Sequence, residues 1–286
     1  MGRLLKTICE LLDTIKVGHS VLALPFAFMG AMLAARGFPP LRTAGYILVA
    51  MVSARSAAMA FNRLADVAVD AANPRTAGRS LPAGRLSRRA MIIFVALNSL
   101  IFIWAAAQLN RVCFALSPLV LAVILGYSLT KRFTWATHLI LGFSLALAPL
   151  GGWLAVRGDL GLPVLVLSAG VLFWVAGFDI LYALQDEEFD RRLGLFSLPA
   201  RVGARMARHG AALCHLLAVA GFALTGWLAG LGRLYTLAVV LSALILATQH
   251  VLLARRGSIH LPPAFFTLNG LVSVCLSMAT WISLTF

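Results

Sequence analysis

Long apolar runs alternate with short polar and basic stretches along the whole chain. Nine of these runs approach the roughly 20 residues that a helix needs to cross a bilayer. They lie near residues 17–35, 43–61, 88–107, 112–130, 136–156, 162–184, 210–230, 233–254 and 264–284. The pattern therefore predicts an all-α membrane protein, a bundle of nine transmembrane helices.

The composition supports this class. Hydrophobic residues make up 61% and charged residues 12% of the 286 positions, and the mean hydropathy is +0.92. Since the pattern runs through residues 1–286 without a soluble insertion, we predict a single membrane domain. The stretch near residues 4–15 mixes apolar and basic positions at helical spacing, which favours an interfacial helix over a cleaved signal peptide.

The net charge of +14 raises the question of a nucleic-acid partner. The basic residues are spread over the loops between apolar runs, so they indicate topology and contact with anionic lipid headgroups, and we expect no nucleic-acid binding. Most Lys and Arg residues fall on the side of the amino terminus. This bias predicts a cytoplasmic amino terminus and a carboxyl terminus on the other side of the membrane.

Acidic residues are rare and clustered. Seven of the ten lie in two windows, residues 62–70 and 179–190. On a straight helix the polar members of each window fall on one face, since they are offset by only about 40°. The first face carries Asn62, Asp66 and Asp70, and the second carries Asp179, Asp186 and Asp190.

The two windows also correspond to each other. Adding 120 to the number of Asp66 gives Asp186, and each window leads into a basic loop that contains Ser-Leu-Pro-Ala. This predicts a parallel internal repeat with halves near 1–130 and 131–254, closed by a helix at 264–284. The second and sixth spans then run in the same direction, which brings both acidic faces to the cytoplasmic side.

Carboxylates at membrane depth cost about 2.5–3.5 kcal/mol each, so clustered ones need cations nearby. Mg²⁺ is typically bound by one or two carboxylates together with substrate phosphates, which predicts a phosphorylated ligand. Arg55 lies on the same helical face as Asn62, and the loops supply Arg75, Arg79, Lys131 and Arg132. An apolar bundle can hold a hydrocarbon tail, so we expect a lipid diphosphate.

These residues resemble a known family. The pattern Asn-x3-Asp-x3-Asp at 62–70 and the pattern Asp-x2-Tyr-x3-Asp-x3-Asp at 179–190 are similar to the two signature motifs of the UbiA superfamily of intramembrane aromatic prenyltransferases. The resemblance covers essentially the whole chain, including the nine-helix count. One position departs from it, because Arg63 stands where many members carry an aspartate.

The resemblance implies Mg²⁺-dependent transfer of a polyprenyl chain from its diphosphate to a ring carbon of an aromatic acceptor. It implies metal ligands at Asn62, Asp66, Asp70, Asp186 and Asp190. Asp66 and Asp186 would be catalytic, Asp179 or Tyr182 would orient the acceptor or take a proton, and Arg55, Arg79, Lys131 and Arg132 would bind the diphosphate. His19 and His138 lie near predicted helix ends and could touch the acceptor, although interfacial hydrogen bonding is the commoner role.

The stretch 54–63 is most similar to bacterial quinone-pathway members. It favours 4-hydroxybenzoate as the acceptor in ubiquinone biosynthesis, or a dihydroxynaphthoate in menaquinone biosynthesis, in the bacterial inner membrane. A divalent-cation or lipid-phosphate transporter is the alternative from another class. Transporter sites usually lie at the bilayer midplane on interrupted helices, whereas these carboxylates are predicted at one membrane face.

Overall fold

The computed structural model describes residues 9–12, 14, 15, 22–256 and 264–286. Two short helices, Val67–Ala72 and Glu187–Arg192, follow the second and sixth long helices. The described residues contain no strand. The long helices are α1 Leu24–Ala35, α2 Leu41–Ala65, α3 Arg88–Leu109, α4 Arg111–Thr130, α5 Thr137–Arg157, α6 Leu162–Ala183, α7 Leu198–Ala229, α8 Arg233–Arg256 and α9 Ala264–Thr285.

The predicted all-α membrane class is confirmed. In the described ranges, α2 to α9 are long and apolar enough to cross a membrane, and α1 is a shorter apolar helix of 12 residues. The outer surface is correspondingly apolar, with Leu216 66% and Leu237 65% exposed. The beginning of the first predicted span, half of the predicted interfacial helix and His19 lie outside the described residues.

One helix begins well before the position that hydropathy predicts. The Ser197 hydroxyl accepts from the backbone N–H of Ala200 and caps α7, which starts at Leu198 and passes through Gly203 at φ 79°. A left-handed backbone of this kind favours glycine. The first turns of α7 are polar, so the hydropathy pattern alone placed its start near residue 210.

The long helices form a ring. Each packs against the next in the chain, and α9 packs against α1 to close the ring. α1 also packs along α5. This arrangement brings the carboxyl ends of α2 and α6, with their acidic windows, to the same end of the bundle.

The α1–α5 crossing depends on two glycines. A Cβ added to Gly152 would lie 1.9 Å from the carbonyl oxygen of Ala27, and one added to Gly30 would lie 2.1 Å from that of Pro149. Small residues that let backbones approach closely are the usual way for helices to associate in lipid, where the hydrophobic effect adds little.

The two sides of the ring are packed differently. Phe26 of α1 lies 5.2 Å from Trp174 of α6 and 5.7 Å from Phe222 of α7, ring centre to ring centre, and all three side chains are fully buried. α6 to α9 therefore surround a dense core. The side formed by α2 to α5 instead encloses a cavity, described below.

The second acidic window repeats the local structure of the first. The short helices Val67–Ala72 and Glu187–Arg192 are related by the same offset of 120 residues as the motifs. The division of the chain into repeat halves near 1–130 and 131–254 stays a prediction.

Replacing Gly152 with alanine should destabilise the protein. The added methyl group would force α1 and α5 apart, and overpacking of this kind costs about 1–3 kcal/mol. Gly151→Ala is the matched control, since nothing lies within 4 Å of its added Cβ. We expect a lower apparent melting temperature in detergent for Gly152→Ala only, and equal temperatures for the two variants would contradict the packing.

Candidate active site

Asp66 and Asp186 each lie at a break in a long helix. Asp66 ends α2 at φ −96° and ψ 5°, and Asp186 precedes the second short helix at φ −109° and ψ 7°. The first short helix ends at Asn73, which is extended because Pro74 follows it. The straight helix assumed in the sequence prediction is therefore wrong here, and aspartates on either side of a break meet different partners.

Asp66 is buried, with 4% of the residue exposed. Its Oδ2 accepts hydrogen bonds from Lys131 Nζ at 2.7 Å and from Asn62 Nδ2 at 3.3 Å. Its Oδ1 is buried without a hydrogen-bond partner. An ionised carboxylate oxygen in such a place is costly unless a cation or donor approaches it.

Asp70 is also buried and is held by two arginines. Arg79 Nη1 lies 2.7 Å and 2.8 Å from its two oxygens, and Arg63 Nη1 lies 3.9 Å from Oδ2. Arg63 is the position that departs from the family pattern. It brings a positive charge to Asp70 where many family members carry another carboxylate.

Asp186 connects the two motifs. Arg75 donates to it through Nε at 3.1 Å and through Nη2, and Asn73 Nδ2 donates at 3.1 Å. Arg75 Nη1 also donates to Tyr182 Oη at 2.8 Å. Burial alone would lower the pKa of Arg75, but the hydrogen bonds and charges of Asp186 and Tyr182 raise that pKa above its usual value. The loop after the first motif therefore holds the second motif through a permanent cation.

Asp179 contacts a histidine. Its Oδ2 lies 2.6 Å from His138 Nδ1, and His138 Nε2 accepts the backbone N–H of Leu198 at 3.2 Å. Asp190 lies near the Ser197 hydroxyl, in the electrostatic field of Lys131, His138 and Asp186.

The loop after α4 is fixed at both of its basic residues. Lys131 bonds Asp66 through its side chain, and its carbonyl oxygen accepts the Phe196 N–H at 2.7 Å. Arg132 donates to the carbonyl oxygen of Ala65, one of the groups left without an intrahelical partner at the end of α2. The loop therefore joins the break at Asp66 to the loop before α7.

Each paired carboxylate has its own cation, and the carboxylates do not converge on one point. Within the ranges that the structure describes, no three His, Cys, Asp or Glu side chains lie close enough together to hold a metal ion. The donor set still fits Mg²⁺, which prefers carboxylate and amide oxygens. The unpartnered Oδ1 of Asp66 is an oxygen of that kind.

An apolar cavity of about 640 Å³ is lined by residues of α1, α2, α3, α4 and α5. Its lining is almost wholly aliphatic and aromatic, with Arg55 and Tyr127 among the few polar side chains. Tyr127 is four residues before Lys131, whose Nζ bonds Asp66, so the Arg55–Tyr127 end of the cavity lies on the side of the carboxylates.

The structure brings most of the predicted site residues to one end of the bundle, while Arg55 lies deeper, in the cavity wall. Sequence reasoning did not find the bond from Asn73 to Asp186 or the bond from His138 to Asp179, and it counted Arg75 only as an available charge. The Asn-Pro-Arg turn directly after the first motif was the signal for Asn73 and Arg75.

Comparison with known proteins agrees with the fold and the motifs. The model of the UbiA prenyltransferase family matches residues 23–271. A 4-hydroxybenzoate octaprenyltransferase of Nitrosospira multiformis is 30% identical over 240 residues, which are 84% of this chain and 82% of that protein. A protoheme IX farnesyltransferase of Thermus thermophilus is 32% identical over 80% of this chain and 38% of that protein.

Solved structures give the same result. A UbiA homologue from Aeropyrum pernix K1, in its apo form, superimposes with a TM-score of 0.84 at 37% identity, over 93% of this chain and 98% of that one. A homologue from Archaeoglobus fulgidus bound to DMAPP and Mg²⁺ superimposes with a TM-score of 0.76 at 18% identity, over 96% and 99% of the two chains. This chain, a multi-pass membrane protein, is a transferase of the UbiA prenyltransferase family.

Proposed function

We propose that this protein transfers a polyprenyl chain from polyprenyl diphosphate to a ring carbon of 4-hydroxybenzoate, in a Mg²⁺-dependent step of quinone biosynthesis. The observation that carries the proposal is the meeting of the cation-paired carboxylates with one end of the apolar cavity. A ligand that suits both parts has a multiply charged head and a long hydrocarbon tail.

The cavity supports the prenyl part of the donor. Its volume of about 640 Å³ and its aliphatic lining are typical of a binding site for a flexible apolar chain. Arg55 lies in its wall, at a position where a guanidinium can pair with an oxygen of the diphosphate. The tail then extends along α2 to α5, away from the carboxylates.

The cationic side chains support the diphosphate part. Lys131 forms an ion pair with Asp66, and Arg79 forms one with Asp70. Arg132 lies beside the end of α2. When a diphosphate binds, these cations can turn from the carboxylates to the phosphate oxygens. The oxygens freed on Asp66 and Asp70, together with those of Asn62, Asp186 and Asp190, would then hold Mg²⁺.

Bound Mg²⁺ would neutralise the diphosphate and so improve it as a leaving group. The chain's own residues do the rest. Arg79, Lys131 and Arg132 stabilise the negative charge that grows on the departing oxygen, and the apolar walls keep water from the allylic cation. The carbon–oxygen bond breaks with its electrons on the diphosphate, and the ring carbon supplies the electron pair of the new carbon–carbon bond.

The acceptor is proposed to lie near Tyr182 and Asp179. The hydroxyl of Tyr182 accepts a bond from Arg75, which leaves its own proton to be donated to the acceptor. The name of the Nitrosospira multiformis relative supports 4-hydroxybenzoate. A dihydroxynaphthoate would be prenylated by the same chemistry. The name of the Thermus thermophilus relative makes protoheme a third acceptor to test.

The distribution of basic residues supports a site at the cytoplasmic face, with the amino terminus in the cytoplasm and the carboxyl terminus outside. Arg75, Arg79, Lys131 and Arg132 all lie in loops at the end of the bundle that holds the site. Loops rich in Lys and Arg are retained on the cytoplasmic side of bacterial membranes.

The function is tested directly by mass spectrometry of the products. Purified protein would receive Mg²⁺, a polyprenyl diphosphate and, in separate reactions, 4-hydroxybenzoate, a dihydroxynaphthoate or protoheme. We expect prenylated 4-hydroxybenzoate as the main product. Product from the naphthoate or protoheme alone would reassign the acceptor, and metal flux into vesicles without any product would favour a transporter.

Asp66→Asn and Asp186→Asn should each lower turnover by at least about 100-fold, because each removes charge that the diphosphate site needs. Asp159→Asn is the matched control, since Asp159 is exposed and pairs with exposed Arg157 at the end of α5 far from the site. Turnover is measured in membranes with protein amounts equalised by immunoblot. Wild-type rates in either of the first two variants would contradict the role of these carboxylates.

Ala58→Leu should narrow the cavity and so select against donors with a long prenyl chain. A single methylene group in an apolar pocket alters specificity by about 10–200-fold, and this substitution adds three carbons, so kcat/KM should fall more for octaprenyl than for geranyl diphosphate. Val52→Leu, on the exposed side of the same helix, serves as the control. An equal loss with both donors would mean that the tail binds elsewhere.

A further inference from the structure

His138 is hydrogen-bonded through both of its ring nitrogens. It lies at the beginning of α5 with only 4% of the residue exposed. Nε2 accepts the backbone N–H of Leu198 at 3.2 Å, and Nδ1 lies 2.6 Å from Asp179 Oδ2. Because Nε2 acts as an acceptor, the ring proton is on Nδ1, which donates to Asp179.

The surroundings of His138 are rigid. The hydroxyls of Thr130 and Thr137 lie 2.7 Å apart and join the end of α4 to the beginning of α5. The Phe196 N–H donates to the Lys131 carbonyl, and the Arg201 guanidinium lies 5.9 Å from the centre of the Trp135 ring. These contacts hold the loop before α7 against the loop before α5, so the imidazole cannot turn freely.

Asp179 lies on α6, seven residues before Asp186. It interacts electrostatically with Tyr127, which lines the cavity. Its side chain is 25% exposed, unlike the buried side chain of His138. With Oδ2 engaged by His138, Oδ1 is the oxygen left to accept a proton.

We infer that His138 is a positioning residue that holds Asp179 as the oriented acceptor of the proton lost by the aromatic ring. This inference rests on the proposed function. After the ring carbon has bonded to the prenyl carbon, its C–H electrons return to the ring and the proton passes to Asp179 Oδ1. The Nδ1–H bond fixes the carboxylate at its other oxygen during this transfer.

The arrangement resembles the way that outer residues orient ligands in metal sites. A group that fixes the orientation of a reacting group without touching substrate typically contributes about 10–100-fold to activity. His138 is expected to contribute through kcat, with little effect on the KM for the donor, because the diphosphate is held by other residues.

Two conservative variants separate the bonds of His138. The amide nitrogen of asparagine can replace Nδ1–H as the donor to Asp179, and the amide oxygen of glutamine can replace Nε2 as the acceptor from Leu198. We expect His138→Gln to lower kcat about 10–100-fold and His138→Asn to restore most of that loss. His209→Gln, at an exposed position on α7, is the neutral control.

The decisive readout is the isotope effect with ring-deuterated 4-hydroxybenzoate. Wild-type protein should show a ratio near one, whereas His138→Gln and Asp179→Asn should both show a primary effect, because proton loss becomes slow. The double variant should be no slower than Asp179→Asn alone. A slower His138→Gln without an isotope effect, or equal losses in the asparagine and glutamine variants, would overturn the inference.

A second measurement does not depend on the acceptor. The ¹⁵N shifts of His138 in the purified wild-type protein should show protonated Nδ1 and unprotonated Nε2, and the opposite tautomer would overturn the inference. By contrast, a wild-type protein that has this tautomer but forms no prenylated product would count against the proposed function.

Discussion

Ionised carboxylates in a membrane bundle require a positive partner, and this requirement explains much of the local structure around the site. Asp66, Asp70 and Asp186 each meet a different cation: Lys131, Arg79 and Arg75. Those cations come from loops that are far apart in the sequence. The charge pairing therefore brings together the loop after α2, the loop after α4 and the end of α6.

The helix breaks make this pairing possible. On an unbroken helix, Asp66 and Asp70 would lie one turn apart on the same face and would repel each other. The break at Asp66 directs Asp70 towards Arg79 and leaves Asp66 to Lys131. A similar break occurs at Asp186, which accepts hydrogen bonds from Arg75 and Asn73 in the loop after the first motif. Two similar turns thus form one charged site at the end of the bundle.

Parts of this arrangement could be predicted from the sequence. The apolar runs predicted the long helices to within a few residues, because hydropathy reports directly on burial in lipid. The exceptions are the polar beginning of α7 and the beginning of the first span, which lies outside the described residues. The motif spacing placed both acidic windows at the carboxyl ends of α2 and α6. The breaks at Asp66 and Asp186 could not be found, since helical periodicity assumes a straight axis.

The partners of the carboxylates were harder to predict because they depend on contacts between distant residues. Arg75 and Asp186 are 111 positions apart, and His138 and Asp179 are 41 apart. The unequal packing of the bundle could not be predicted either, since α2 to α5 and α6 to α9 have similar hydropathy, and the cavity described above is lined by α1 to α5.

The most direct test of the central claim is the binding of an unreactive donor, geranyl S-thiolodiphosphate, measured by calorimetry with and without Mg²⁺. If the carboxylates and their cations form the diphosphate site, binding will need Mg²⁺ and will weaken at least about tenfold in Lys131→Met, which loses one charge-assisted contact. Equal affinity in the presence of EDTA, or an unchanged affinity in Lys131→Met, would contradict the account.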